Sequence, residues 1–76
     1  MNPDIIINHE PVELYKILKF EGLVGSGGEA KQAIAEGHVL VNGHVETRKR
    51  KKIVSGDSIE FNDSSYTIRL DPHATS

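Results

Sequence analysis

The 76 residues contain no cysteine. A disulfide framework and a thiolate metal site are therefore excluded, and a chain this short must hold together on one small hydrophobic core. Tryptophan is absent too, and the aromatics number four: Tyr15, Phe20, Phe61 and Tyr66. So sparse and scattered a set argues against binding single strands by stacking successive bases, and the four rings fit core or edge positions instead. The apolar run Ile5-Ile6-Ile7 is too short for a signal segment or a membrane span, and Met1-Asn2-Pro3-Asp4 ahead of it carries no cation. These absences predict a soluble, cytoplasmic, monomeric protein with no membrane partner.

Catalytic constellations are equally scarce. His9, His38, His44 and His73 lack the spacing of metal ligands. His38 and His44 flank a hairpin, where solvated imidazoles are the simpler reading. Gly25-Ser26-Gly27 lacks the glycine spacing of a nucleophile elbow, and Gly25-x-Gly27-Gly28 opens no dinucleotide-binding unit. The expectation is no catalytic residue, no metal, no cofactor and no small-molecule substrate.

Charge is where the sequence departs most from an average one. The formal net charge is −2, from nine Lys and Arg against eleven Asp and Glu. Five of the nine cations are consecutive, Arg48-Lys49-Arg50-Lys51-Lys52, which leaves four cations and eleven anions elsewhere, a net −7. Such polarity repels polyanions from most of the surface and draws them to one strip. A solvated charged loop is the bland alternative. Two of the five are Arg, whose planar fork suits a phosphate, and the strip follows directly on a helix–hairpin unit.

The pattern around the strip predicts an α+β arrangement. Residues 1–10 read as an N-terminal segment, loose over 1–4, with Ile5-Ile6-Ile7 as a short edge strand. Pro11 suits a first helical turn, and Leu14, Ile17 and Leu18 mark one helix face, so a helix is expected over 11–21. Lys16 and Lys19 fall off that stripe, as solvated lysines or as contacts to a polyanion. Ser26 followed by Glu29 is a capping-box signal for a second helix over 27–36, with Ala30, Ala33 and Ile34 inward. Gly27 and Gly28 cost about 1 kcal/mol each against Ala in a helix. They leave N–H groups open to a phosphate at the positive dipole end, or else mark a turn that needs φ > 0. Lys31 lies off the apolar stripe, so its head is expected in water.

Gly37 stops the second helix, and Val39-Leu40-Val41 runs into a hairpin turn at Asn42-Gly43. A two-residue turn would set Leu40 opposite Val45 and leave apolar groups on both faces. A three-residue loop with Gly43 at positive φ pairs Val39 with Val45, and that register is the one expected. After Thr47 a regular strand with Ile53 inward would bury Lys49 and Lys51, which is prohibitive, so the strip must bend. Ile59 and Phe61, then Tyr66, Ile68 and Leu70, alternate as two further strands, and residues 71–76 read as a flexible tail.

Several motifs together resemble a known family. Leu14-x-x-x-Leu18-x-x-x-Gly22, Ser26-x-x-Glu29-Ala30-Lys31-x-x-Ile34, Gly37-His38-Val39-x-Val41-Asn42-Gly43 and Gly56-Asp57-x-Ile59 are similar to the S4 RNA-binding domain, in the form of its small stand-alone bacterial members. The resemblance covers roughly residues 11–61 and extends the expected domain to 11–70. It implies the αL arrangement, two packed helices followed by a small twisted, mostly antiparallel sheet, with structured RNA bound across helices and hairpin and no chemistry by the module itself. Where the family often has Arg this chain has Glu13 and Gly27, and Lys31 stands in for a third. The helix surface is thus less basic than the family's, and the strip must supply much of the attraction. The expected function is non-catalytic binding of structured RNA, ribosomal or transfer RNA, by Lys31, Arg48, Lys49, Arg50, Lys51, Lys52, Lys16, Lys19, Ser26, Gly27 and His38. The alternative is an adaptor that binds an acidic or ribosome-associated protein.

Overall fold

The computed structural model describes residues 4–73. Two short strands, β1 (Asp4–Ile7) and β2 (Val12–Glu13), precede the helices α1 (Leu14–Phe20) and α2 (Gly27–Ala35). Five strands follow: β3 (Val39–Val41), β4 (His44–Val45), β5 (Lys52–Ile53), β6 (Ser58–Phe61) and β7 (Ser64–Leu70). The main sheet has the order β1-β7-β6-β3-β4, and β2 pairs with β5 in a separate antiparallel ribbon. β1 runs parallel to β7, and every other pairing is antiparallel. The expected α+β class holds, with one difference of order: a strand of the main sheet, β1 with Ile5-Ile6-Ile7, precedes both helices in the chain. Asp4, expected to be loose, already pairs with Thr67, while residues 1–3 and 74–76 lie outside the described part.

Local signals account for most helix ends. Ser26 caps α2 by accepting the Glu29 N–H at 3.1 Å. The Glu29 carboxylate reaches back to the Gly25 N–H at 3.0 Å, one residue beyond the usual capping-box partner. Both helices stop on a Schellman turn. Leu23 N–H donates to the Leu18 carbonyl and Gly22 N–H to Lys19, while His38 and Gly37 repeat the pattern on Ala33 and Ile34. That turn needs a left-handed residue, and Gly22 and Gly37 sit at φ 70° and 83°.

The start of α1 differs from expectation. Pro11 does not open the helix, because Val12 and Glu13 are extended and pair with Ile53 and Lys52. Pairing buries Val12, whereas one more helical turn would leave β5 without a partner.

The hairpin also corrects the sequence reading. Leu40 pairs with Val45 and Val41 with His44, so the turn has two residues and Val39 does not face Val45. Asn42 and Gly43 both have positive φ, 53° and 84°, as a type I′ turn requires. The deciding contacts come from a distant strand. The Asn42 side chain donates to Asp57 Oδ1 at 3.1 Å and accepts the Ser58 N–H at 3.0 Å, and its own N–H donates to the Ser58 carbonyl at 2.9 Å. Three hydrogen bonds outweigh the burial of one valine, and Val45 is left 59% exposed.

The core lies between the helix pair and one face of the sheet. Leu14, Ile17 and Leu18 from α1 and Ala30 and Ile34 from α2 meet Ile5, Ile7, Val39, Ile59 and Ile68. No polar or charged side chain is buried among the described residues.

Candidate nucleic-acid interface

Glu13 occupies the N-cap of α1 but makes no capping hydrogen bond with its side chain. The first free N–H groups of the helix are satisfied by the basic strip instead. Leu14 N–H donates to the Lys51 carbonyl at 2.9 Å and Tyr15 N–H to the Lys49 carbonyl at 3.1 Å. A turn closed by Lys51 N–H on the Arg48 carbonyl bends the strip at the place where inward lysines had to be avoided. The main chain of the strip is thereby fastened to the helix, and its side chains point to solvent. Arg48, Lys49, Arg50 and Lys52 are exposed and Lys51 is half-buried. Arg48, Arg50, Lys51 and Lys52 line a notch of about 370 Å³.

Two acids divide these cations into paired and unpaired sets. Glu46 accepts from Arg48 Nε at 2.9 Å, from Nη2 at 3.2 Å and from the Arg48 main-chain N–H at 3.0 Å. The hydrogen bonds from the Arg48 side chain, then from its N–H, lower the Glu46 pKa from 4.5 to about 2. Glu13 lies between Lys16, at 3.2 Å, and Arg50, at 3.9 Å. Lys49, Lys51 and Lys52 make no ion pair among the described residues.

The Glu46 shift has a consequence for stability. The carboxyl takes up a proton near pH 4.5 in the unfolded chain and only near pH 2 in the folded one, so protonation favours unfolding. Its contribution is whole above pH 4.5 and is lost as the pH falls from there through 2. In urea titrations the wild type is expected to exceed Glu46→Gln in midpoint at pH 6, with the gap closing by pH 2. A gap of equal size at both pH values would show that the pair does not couple to folding.

The helix cations form the other half of the cluster. Lys31 Nζ sits 4.7 Å from the centroid of the Tyr15 ring, and Lys16 Nζ lies at 6.0 Å. Lys31 is half-buried, so its head rests on an aromatic face and is not wholly in water as expected. Lys19 is exposed, and its chain passes the start of α2, where a Cβ on Gly27 would meet Lys19 Cδ at 3.8 Å. Neither Gly27 nor Gly28 has positive φ, which removes the tight-turn reading of that pair. Ser26 Oγ and the Gly25 N–H there are already engaged by Glu29. His38 lies elsewhere. It is 3.4 Å from Glu36 and lines a concavity with Glu60 and Asp63.

The structure therefore brings Lys16, Lys31 and the five strip residues around Tyr15 and Glu13, sets Lys19, Ser26 and Gly27 at the start of α2, and leaves His38 apart. Sequence reasoning assigned no part to Tyr15 or to Glu13 as a shared partner, and named Glu46 only beside Glu60 as an acid the strip could pack against. Two local signals were there: the Glu46-x-Arg48 spacing, since alternate residues of extended chain share a side, and Glu13 three residues before Lys16.

Residues 5–69 match the S4 domain. YbcJ of Escherichia coli (strain K12) is 53% identical over 60 residues, covering 79% of this chain and 86% of that protein. The "Probable ribosome maturation protein RlbA" of Bacillus subtilis (strain 168) is 39% identical over 60 residues, covering 79% and 83%. The solution structure of YbcJ from E. coli, with its αL motif involved in RNA-binding, aligns at a TM-score of 0.65 and 48% identity over 90% of this chain and 86% of that one. The chain belongs to the S4 domain family.

Proposed function

We propose that this protein binds structured RNA without catalysing a reaction, using the basic notch and the adjoining helix face as one surface. The observation that carries the reading is the meeting of loop and helix cations around Tyr15 and Glu13 on an otherwise acidic molecule. Lys49, Lys51, Lys52 and Arg50 supply attraction to phosphates, and release of condensed counterions supplies much of the affinity. Lys31 and Lys16 extend the surface onto the helices, with Lys19, Ser26 and Gly27 at its far end. The rigid fastening of loop to helix favours a folded RNA, whose phosphates already stand in a fixed array. YbcJ's αL motif involved in RNA-binding supports RNA as the partner, and RlbA's ribosome maturation name favours ribosomal RNA.

The test is a fluorescence-anisotropy titration of a folded ribosomal RNA fragment at several salt concentrations. Lys31→Ala is expected to weaken binding and to reduce the slope of log K against log salt by about 1. Its thermal midpoint should stay close to wild type, since what is lost is the partly exposed Lys31 stem and its head over Tyr15. Unchanged affinity at low salt would remove the helix face from the interface. Absence of salt-dependent binding to any folded RNA would overturn the reading as a whole.

A further inference from the structure

A second surface, formed by none of the candidate RNA-binding residues, lies along β1. This strand is the outer strand of the main sheet, and among the described residues it pairs only with β7. The Ile7 carbonyl accepts from Asp71 N–H on the β7 side at 2.8 Å. By strand alternation Ile5 faces β7 as well, so the N–H and C=O groups of Asp4 and Ile6 face outward. Edge strands are usually protected by Lys, Pro or a bulge. Asp4-Ile5-Ile6-Ile7 has none of these, its one charge, Asp4, is paired with Arg69 of β7, and Ile6 is 54% exposed.

Beside this edge runs a groove of about 470 Å³, lined by Val12, Ile17 and Phe20 as well as Ile6. Phe20 is 68% exposed, although Ile17 on the same helix is buried. An unpaired strand edge beside an apolar channel is the geometry into which an extended peptide adds as a further strand. Charge narrows the occupant. Glu21 and Asp71 border the groove, no Lys or Arg lines it, and His9 is its only potential cation. A second copy of this chain would bring the same two acids against themselves, which disfavours a symmetric β1–β1 dimer.

We propose that the β1 edge is a docking site for an extended segment of a partner protein, whose every second residue faces the groove and is apolar at the centre and Lys or Arg at the ends, and which joins the sheet as its sixth strand. The central apolar side chains would enter the groove onto Ile17 and Phe20, and the Lys or Arg ending the same groove-facing series would reach Glu21 and Asp71. Main-chain hydrogen bonds to Asp4 and Ile6 would set the register.

The probe is an acetylated, amidated Lys-Ser-Val-Ser-Val-Ser-Lys peptide (the Val–Lys peptide), which presents Lys, Val, Val and Lys to one face and is titrated into the ¹⁵N-labelled full chain. Three controls accompany it: the same peptide N-methylated at alternate residues, a Val–Glu peptide, and the Phe20→Ser variant. The Val–Lys peptide is expected to shift the amides of β1 and Phe20 and to slow hydrogen exchange at Ile6. N-methylation or Phe20→Ser should weaken it at least tenfold, and the Val–Glu peptide should not bind. Phe20→Ser should keep wild-type RNA affinity and salt slope, so failure here is separable from failure of the RNA reading. Equal binding of the N-methylated peptide would reduce the effect to charge alone and overturn strand addition. Shifts at Ile6 and Phe20 that grow with protein concentration, without peptide, would make a second copy the occupant and overturn the proposal. Absence of any shift along β1 would overturn it too.

Discussion

Replacing Lys49, Lys51 and Lys52 together with Gln is expected to remove most RNA binding while the domain stays folded. These three cations make no ion pair among the described residues, so no carboxylate is stranded by their loss. Their carbonyls, which hold the N-terminus of α1 through Lys51 and Lys49, belong to the main chain and survive substitution. Surface substitutions away from caps and core change stability by about 0.5 kcal/mol or less each, Lys51 alone of the three being half-buried. Each phosphate contact contributes about 0.9 to the salt slope, so the triple variant should flatten log K against log salt by about 2.7.

Extending the change to Arg48 and Arg50 should remove most of what remains, at a small cost in stability, because Glu46 then loses its clamp. For an ion pair whose Arg is 72% exposed that cost is small, because solvent screens the attraction. Arg50→Lys separates two kinds of grip: weaker binding means a bidentate fork on a phosphate, and neutrality means charge alone. A triple variant with wild-type affinity and slope would exclude the strip from the interface. One that fails to fold would mean that the lysine side chains hold the loop against α1.

Leu18→Ala is expected to act in the opposite way, on folding first and on binding only as a consequence. Leu18 is fully buried in the core that joins α1 to α2 and the sheet. Truncating such a residue costs about 2–5 kcal/mol through lost transfer energy and the cavity left behind. A domain of this length has a total stability of about 4–11 kcal/mol, so the variant should lose a large part of it. A urea midpoint well below wild type, with partial recovery when saturating RNA is added, is the expected result. An unchanged midpoint would show that the helix pair carries less of the stability than its burial implies. The lysine triple variant should show the reverse pattern, with a normal midpoint and weak binding.

Short-range physics made much of this molecule legible in its amino-acid sequence. The cap of α2 rests on Ser26 and Glu29, three residues apart, and both helix stops rest on a single glycine each, Gly22 and Gly37. The inward residues of α1, β6 and β7 followed from their period. The concentration of charge at 48–52, its necessary bend beside buried Ile53, and the S4 family motifs were likewise all present in the chain itself.

Tertiary structure decided what depends on residues far apart. The hairpin register was set by Asn42 binding Asp57 and Ser58, and a parity argument confined to residues 39–45 had no access to them. α1 starts late because Val12 and Glu13 find β5, some forty positions on. The same pairing presses the strip onto the helix and brings Glu13 between Lys16 and Arg50. Lys31 rests on Tyr15 only because two helices cross there. In each case the alternatives differed by a few hydrogen bonds or one buried side chain, and a partner supplied by the folded chain chose between them.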